Sequence, residues 1–184
     1  MSEGKTRLSS FNNSWYNPGA SFLKRGFWFF FNNVFFCSRF PFSGFKVGLL
    51  RMFGARVGKN VIIRPGVNIK SPWLLEIADN VWIGENVWID NLIKISIASN
   101  CCLSQGAMLL TGNHDYSKST FDLITKSIVL EEGVWIGAKA VVCPGVICHS
   151  HALLTVSSVA TSNLEAYGIY QGNPAVKVKE RRIS

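Results

Sequence analysis

The sequence predicts a mainly β protein: a parallel β-helix with a helical cap at its N-terminus and one protruding loop. Three observations carry that reading. A bulky aliphatic residue returns at every sixth position from Val57 onward, a second apolar or small residue follows four places later, and one long break separates Leu109 from Leu130. An α-helix would repeat its apolar stripe every three or four residues, so the longer period belongs to short strands joined by turns.

Residues 1–54 read as an aromatic and basic helical segment. Phe22, Phe27, Trp28, Phe29, Phe30, Phe31, Phe35 and Phe36 crowd residues 19–36, with Lys24, Arg25 and Arg39 alongside. Ser43 is placed to cap a short helix holding Phe45, Leu49, Leu50 and Phe53, with Gly54 closing it. Such a segment would cover the open end of the solenoid, whose first coil otherwise exposes edge groups and core. The same composition also suits contact with a membrane surface.

Residues 55–170 carry the repeat. Val57, Ile63, Ile69, Ile77, Ile83, Ile89, Ile97, Leu103 and Leu109 share one phase, which resumes at Leu130, Ile136, Val142, Cys148, Leu154, Ala160 and Ala166. Val61, Val67, Val81, Val87, Ile93, Cys101, Ala107, Val134, Ala140, Val146, Ala152 and Ser158 lie four places after one of these and two before the next in an unbroken run, so in extended chain both face inward. Three units make a triangular coil, and because a single coil cannot bury its own face, stability comes from stacking. The two-residue slips after Ile69 and Ile89 read as bulged corners. Gly58, Gly84, Gly137, Ala78 and Ala98, each just after an inward residue, are expected to serve bends; Pro65-Gly66 and Pro144-Gly145 add turn chemistry. Residues 171–184 read as a basic tail.

At 184 residues there is material for one core and a modest extension. The net charge of +8 favours an anionic partner, but the absence of one long basic run argues for a phosphate-bearing cofactor or an anionic membrane before nucleic acid. Five cysteines, without paired C-x-x-C spacing, read as reduced thiols in a cytoplasmic protein, attached at most peripherally to the inner face of the membrane. Signal-peptide layout and a membrane-spanning apolar run are both absent.

The break in the repeat, loop 111–129, opens with Thr111-Gly112-Asn113-His114-Asp115-Tyr116, and an insertion on a regular solenoid is where chemistry concentrates. Imidazole at His114 suits removal of a proton from an attacking hydroxyl near neutrality. Downstream come Gly133-Val134-Trp135-Ile136-Gly137-Ala138, then Pro144-Gly145, then Gly172-Asn173-Pro174-Ala175.

Together these segments, over about residues 50–180, resemble the hexapeptide-repeat, left-handed β-helix acyltransferases. The likeness is to the maltose, galactoside and nodulation acetyltransferases and to the colanic-acid type of exopolysaccharide O-acetyltransferase. The resemblance implies acetyl transfer from acetyl-CoA to a hydroxyl of a sugar or lipid-linked oligosaccharide, directly in a ternary complex and without a metal. It implies His114 as general base, and Asp90, Asn91, Asn113 and Asp115 at the acceptor. It places Trp135, Gly137, Ala138, Val156, Lys177 and Lys179 at the CoA, and implies a homotrimer with sites between neighbouring copies. Where the family has Ile-Gly-Ala-Gly-Ser, this chain has Leu154-Thr155-Val156-Ser157-Ser158, which puts bulkier side chains at the cofactor groove. Two other readings stay open. One is a zinc enzyme like the β-helix carbonic anhydrases, using His114, His149 and His151 across an interface; the other is a non-catalytic scaffold.

Overall fold

The computed structural model describes residues 4–183. Five full coils and a partial sixth stack into a three-faced prism. The first face comprises Arg56–Val57, Leu75–Ile77, Ile95–Ile97, Ile128–Leu130 and Ile147–Cys148. The second holds Ile62–Ile63, Trp82–Ile83, Cys102–Leu103, Trp135–Ile136, Leu153–Leu154 and Gly168–Gly172. The third holds Asn68–Ile69, Trp88–Asp90, Met108–Leu110, Val141–Val142 and Val159–Ala160. Within each face the strands just named pair in parallel.

The inward residues meet their equivalents one coil on. Val57 pairs with Ile77 and Ile77 with Ile97, each a step of twenty residues; Ile97 to Leu130 takes thirty-three, and Leu130 to Cys148 takes eighteen. Eighteen is therefore the plain coil. All the extra residues enter at one edge, between the third face and the first, so both slips and the long loop decorate the same corner of the prism.

That corner corrects part of the repeat. Where the slip adds two residues, Leu75 and Ile95 take the inward place and Ile93 is only half-buried. At the far end Leu164, bridged to Cys148, replaces Ala166, which is exposed. The turns use a device the aliphatic count does not show. Asn60, Asn80, Asn86, Asn100, Gly66, Gly106, Gly133 and Gly145, each three residues after an inward one, have positive φ, which asparagine and glycine tolerate best. Gly58, Gly84 and Gly137 have ordinary φ; they are small because the next coil presses on them, not because the chain bends there.

The N-terminal cap consists of α1 (Phe22–Phe31), a π-helical turn Asn32–Phe36 and α2 (Ser43–Met52). It satisfies the free edge of the first coil on all three faces. Arg51 donates to the carbonyls of Val57 and Gly58; Ser43 Oγ donates to Val61 and accepts from the Ile63 amide; Trp28 Nε1 donates to Ile69, and Asn32 Oδ1 accepts from the Ile69 amide. Ser43 is thus a staple between helix and coil and caps no helix, the N-cap being Phe42. On α2, Leu49 and Leu50 are buried while Phe45 is exposed. The C-terminal residues do not hang free: Ala175–Glu180 pairs antiparallel with Gly168–Gly172.

Lys46 completes the cap from a fully buried position, with Nζ 2.9 Å from the Arg64 carbonyl and over the ring of Phe36. Burial lowers its pKa below the ordinary 10.5. The unfolded chain then binds more protons than the folded one at pH values between the lowered pKa and 10.5, so this lysine makes stability rise with pH there. Lys46→Met removes that rise: in urea melts at about pH 8 and about pH 10 the variant falls further behind the native chain at the higher pH.

Candidate active site

The long loop is ordered by its own hydrogen bonds. Gly112–His114 pairs antiparallel with Leu123–Thr125, and the connecting turn is tied by Asp115 N to Asp122 O and by Lys118 to Asp122. Asp115 accepts from the amide and hydroxyl of Ser117, which depresses its pKa, so it holds the turn together. The Asn113 side chain accepts from the amide of His114.

His114 is fixed from two sides. Its ring stacks on Phe121 at 4.3 Å with 6° between the planes, and Phe11 leans on it at 5.5 Å. Nδ1 lies 2.9 Å from the carbonyl oxygen of Phe121. A carbonyl can only accept, so Nδ1 carries the proton and Nε2 keeps its lone pair in the neutral ring. The cost of that arrangement is visible at Phe121, which adopts φ 53°, a left-handed conformation uncommon for a bulky residue. It turns the carbonyl back toward the imidazole while the ring still packs.

Along the slipped edge below the hairpin, Ser71, Asn91 and Thr111 form a buried ladder, one rung per coil. Asn91 donates to the Ser71 carbonyl and accepts its amide; Thr111 Oγ1 donates to the Asp90 carbonyl and accepts from Leu92 N. Asn91 has no exposed surface and both ends of its amide are engaged, which corrects its expected place at the acceptor. Asp90 is different. It pairs with Lys70 at 2.8 Å through Oδ1 alone among the described residues, and it lines a cavity of about 380 Å³ together with Tyr16, Arg25, Trp73 and Trp88.

The cavity owes one wall to a stretch the repeat says nothing about. From Arg7, bonded to Ser119 of the loop, through Tyr16, which donates to Leu92, to Pro18, which accepts from Trp73, the chain runs down the slipped edge as a strap. Phe11 and Tyr16 enter the site this way. Their only sequence signal is local: asparagine turns at Asn12 and Asn17 bracket the Trp15-Tyr16 pair.

The residues expected at the CoA lie elsewhere. Trp135 stands half-exposed on the second face, its Nε1 donating to Ser104. Gly137, Ala138 and Val156 occupy the edge between the second and third faces, where Ser157 N donates to Ala138 O and the Val156 side chain is open to solvent. Within one chain the third face separates this edge from His114. Lys177 is held by both Glu165 and Glu180 at 2.7 Å, which pushes its pKa up; Lys179 makes no ion pair among the described residues. Arg181 braces the turns at Gly133 and His151.

The remaining histidines sit on the edge between the first and second faces, His149 on Glu131 and His151 against Tyr167. Among the described residues no group of three His, Cys, Asp or Glu side chains could hold a metal ion. The thiols of Cys101 and Cys148 are buried, and burial pushes them up, Cys101 to about 11, so both serve packing.

A three-faced prism of six-residue repeats, interrupted once by a histidine-bearing hairpin, defines a class, and comparison with known proteins agrees. A protein of Escherichia coli K12 named "Putative colanic acid biosynthesis acetyltransferase WcaF" is 38% identical over 133 residues, covering 72% of this chain and 73% of WcaF. A hexapeptide-repeat acetyltransferase of Vibrio cholerae, complexed with acetyl coenzyme A, superposes with a TM-score of 0.80 at 20% identity, over 90% of this chain and 92% of that one. A galactoside acetyltransferase in complex with coenzyme A gives 0.77 at 20% identity, over 87% and 82%. No protein-family model matches the chain. The chain belongs to the hexapeptide-repeat acetyltransferases.

Proposed function

We propose that this acetyltransferase moves the acetyl group of acetyl-CoA to a hydroxyl of a sugar or lipid-linked oligosaccharide used in exopolysaccharide synthesis. One observation carries the mechanism: His114 is locked by Phe121 in the tautomer that leaves Nε2 free to take a proton. The acceptor hydroxyl gives its proton to Nε2 as its oxygen attacks the thioester carbonyl, and the CoA thiolate leaves and is then protonated. A backbone amide near Ala138 or Val156 on a neighbouring copy would meet the oxyanion. No covalent intermediate is needed.

The opposite placement of His114 and the Gly137–Val156 edge on the third face supports a homotrimer, in which one copy's hairpin meets another's groove. Trp73 and Trp88 at the cavity, with Asp90 and Arg25, suit a sugar, whose apolar face stacks on indole while its hydroxyls bind carboxylate and guanidinium. A cytoplasmic site for the reaction follows from the donor, which cells hold there.

The test is release of free CoA thiol when the purified protein meets acetyl-CoA and a panel of nucleotide sugars and glycolipids. Thiol release that needs a sugar acceptor and persists with chelators supports the reading; none with any acceptor defeats it. Asp90→Asn is expected to raise the acceptor KM about tenfold by weakening charge-assisted hydrogen bonds. The KM for acetyl-CoA stays where it was, and initial-rate measurements with each substrate varied in turn check both.

A further inference from the structure

The outward face of the N-terminal cap is built the wrong way round for water. A surface helix normally turns apolar residues inward and charges outward. In α1 the buried side is Lys24, Trp28 and Phe31, whereas Phe22, Leu23, Phe27, Phe29 and Phe30 face out, between 58% and 78% exposed. Ring contacts run without a break from Phe30 through Phe31, Phe35 and Phe45 to Phe40 and Phe42, so the apolar surface extends onto α2, where Phe45 and Met52 are also exposed. Scattered single hydrophobics need no explanation; a contiguous aromatic patch does.

Charge identifies the occupant. Between Gly4 and Leu75 there are eleven Lys and Arg and no Asp or Glu, whereas from Glu76 to Ser184 there are eight against ten. The basic excess is therefore concentrated between Gly4 and Leu75, with a smaller one in the tail, where Lys177, Lys179, Arg181 and Arg182 stand against Glu180. Arg25 and Arg39 stand exposed beside the aromatic face. Aromatic and aliphatic side chains on a basic rim match the interface of an anionic bilayer, with rings at the acyl boundary and cations among the headgroups. Among the described residues no helix is long and apolar enough to cross a membrane, so this contact lies on the surface.

We propose that the outer face of α1 and the start of α2 form a docking surface that rests on an anionic lipid bilayer. The docked orientation has a consequence that rests on the acceptor reading above: α1 also supplies Arg25 and Phe29 to the wall of the Asp90 cavity. The cavity then sits beside the headgroups, where the phosphate of a lipid-linked sugar lies within reach of Arg25.

Sedimentation of the full chain with vesicles tests this. The protein is expected to pellet with phosphatidylcholine vesicles containing about 30% phosphatidylglycerol, and far less with phosphatidylcholine alone. Phe22→Ser/Phe27→Ser/Phe30→Ser, at exposed positions outside the cavity, should weaken binding at least roughly tenfold while leaving the melting temperature unchanged. Arg39→Glu, which disturbs no core, should weaken it roughly fivefold. A native chain that stays in solution with anionic vesicles overturns the proposal, as does undiminished binding by both variants. It also falls if the triple variant breaks up an oligomer on size exclusion, since the patch would then be a contact between copies. Thiol release with water-soluble sugars is read separately: vesicle binding without acetyl transfer defeats the acceptor reading and leaves the docking surface standing.

Discussion

Replacing His114 with alanine lowers turnover about 10²- to 10⁴-fold, the range that a positioned general base contributes. The variant should fold normally, because the hairpin is held by its own backbone ladder and by Thr111, not by the imidazole. KM for acetyl-CoA should change little, since the side chain acts on the acceptor's proton and the donor's edge lies across the third face. Measuring thiol release under saturating donor and acceptor, with circular dichroism on the same sample, separates a lost base from a lost fold. A variant keeping more than about a third of the native rate would remove His114 from the chemistry. Phe121→Ala offers a milder comparison: the carbonyl that fixes the tautomer remains while the stacking ring goes, so activity should fall by less than it does on losing His114.

Gly137→Val is expected to cost about 3 kcal/mol of stability, at the high end for forcing a side chain into packed structure. A Cβ at this position would lie 2.7 Å from the Leu154 oxygen, the Thr155 carbonyl carbon and the Val156 nitrogen. All three are backbone atoms of the next coil, and the Gly137 amide donates to that same Leu154 oxygen at 2.8 Å. Relief requires the fourth and fifth coils to part. The φ of Gly137 is ordinary, so backbone strain adds nothing, but the Cβ contacts alone should make even alanine harmful, and Gly84, pressed by Leu103 O and Gln105 N, should behave alike. Urea denaturation of the three variants measures this; a harmless Gly137→Ala would mean that the coils are less closely stacked than described. If the edge carries the CoA, the surviving folded fraction should also show a raised KM for acetyl-CoA.

The parts of this protein that were legible in advance depend on position along the chain. Val57 through Ala160 keep one phase because every inward residue stacks on its equivalent in the next coil, so burial writes a period into the sequence. The hairpin was legible because it breaks that period. Eight of these turns carry the glycine or asparagine that a positive φ favours, a local mark, but Lys139, His151 and Ser157 fill the same place in later coils and carry no such mark.

By itself, then, the sequence determined the solenoid, the place of the excursion and the histidine it carries, since each leaves a periodic or local mark. Only the tertiary structure decided what pairwise meetings decide. Asn91 became a rung bonded to Ser71, Lys177 was drawn to two carboxylates, and Phe121 turned its carbonyl to His114. The strap from Arg7 to Pro18 came to line the cavity, and Ser43 came to staple the cap. Such meetings rest on single hydrogen bonds and contacts, most of them between residues far apart in the chain, which impose no spacing on the residues between them and so leave no pattern to read.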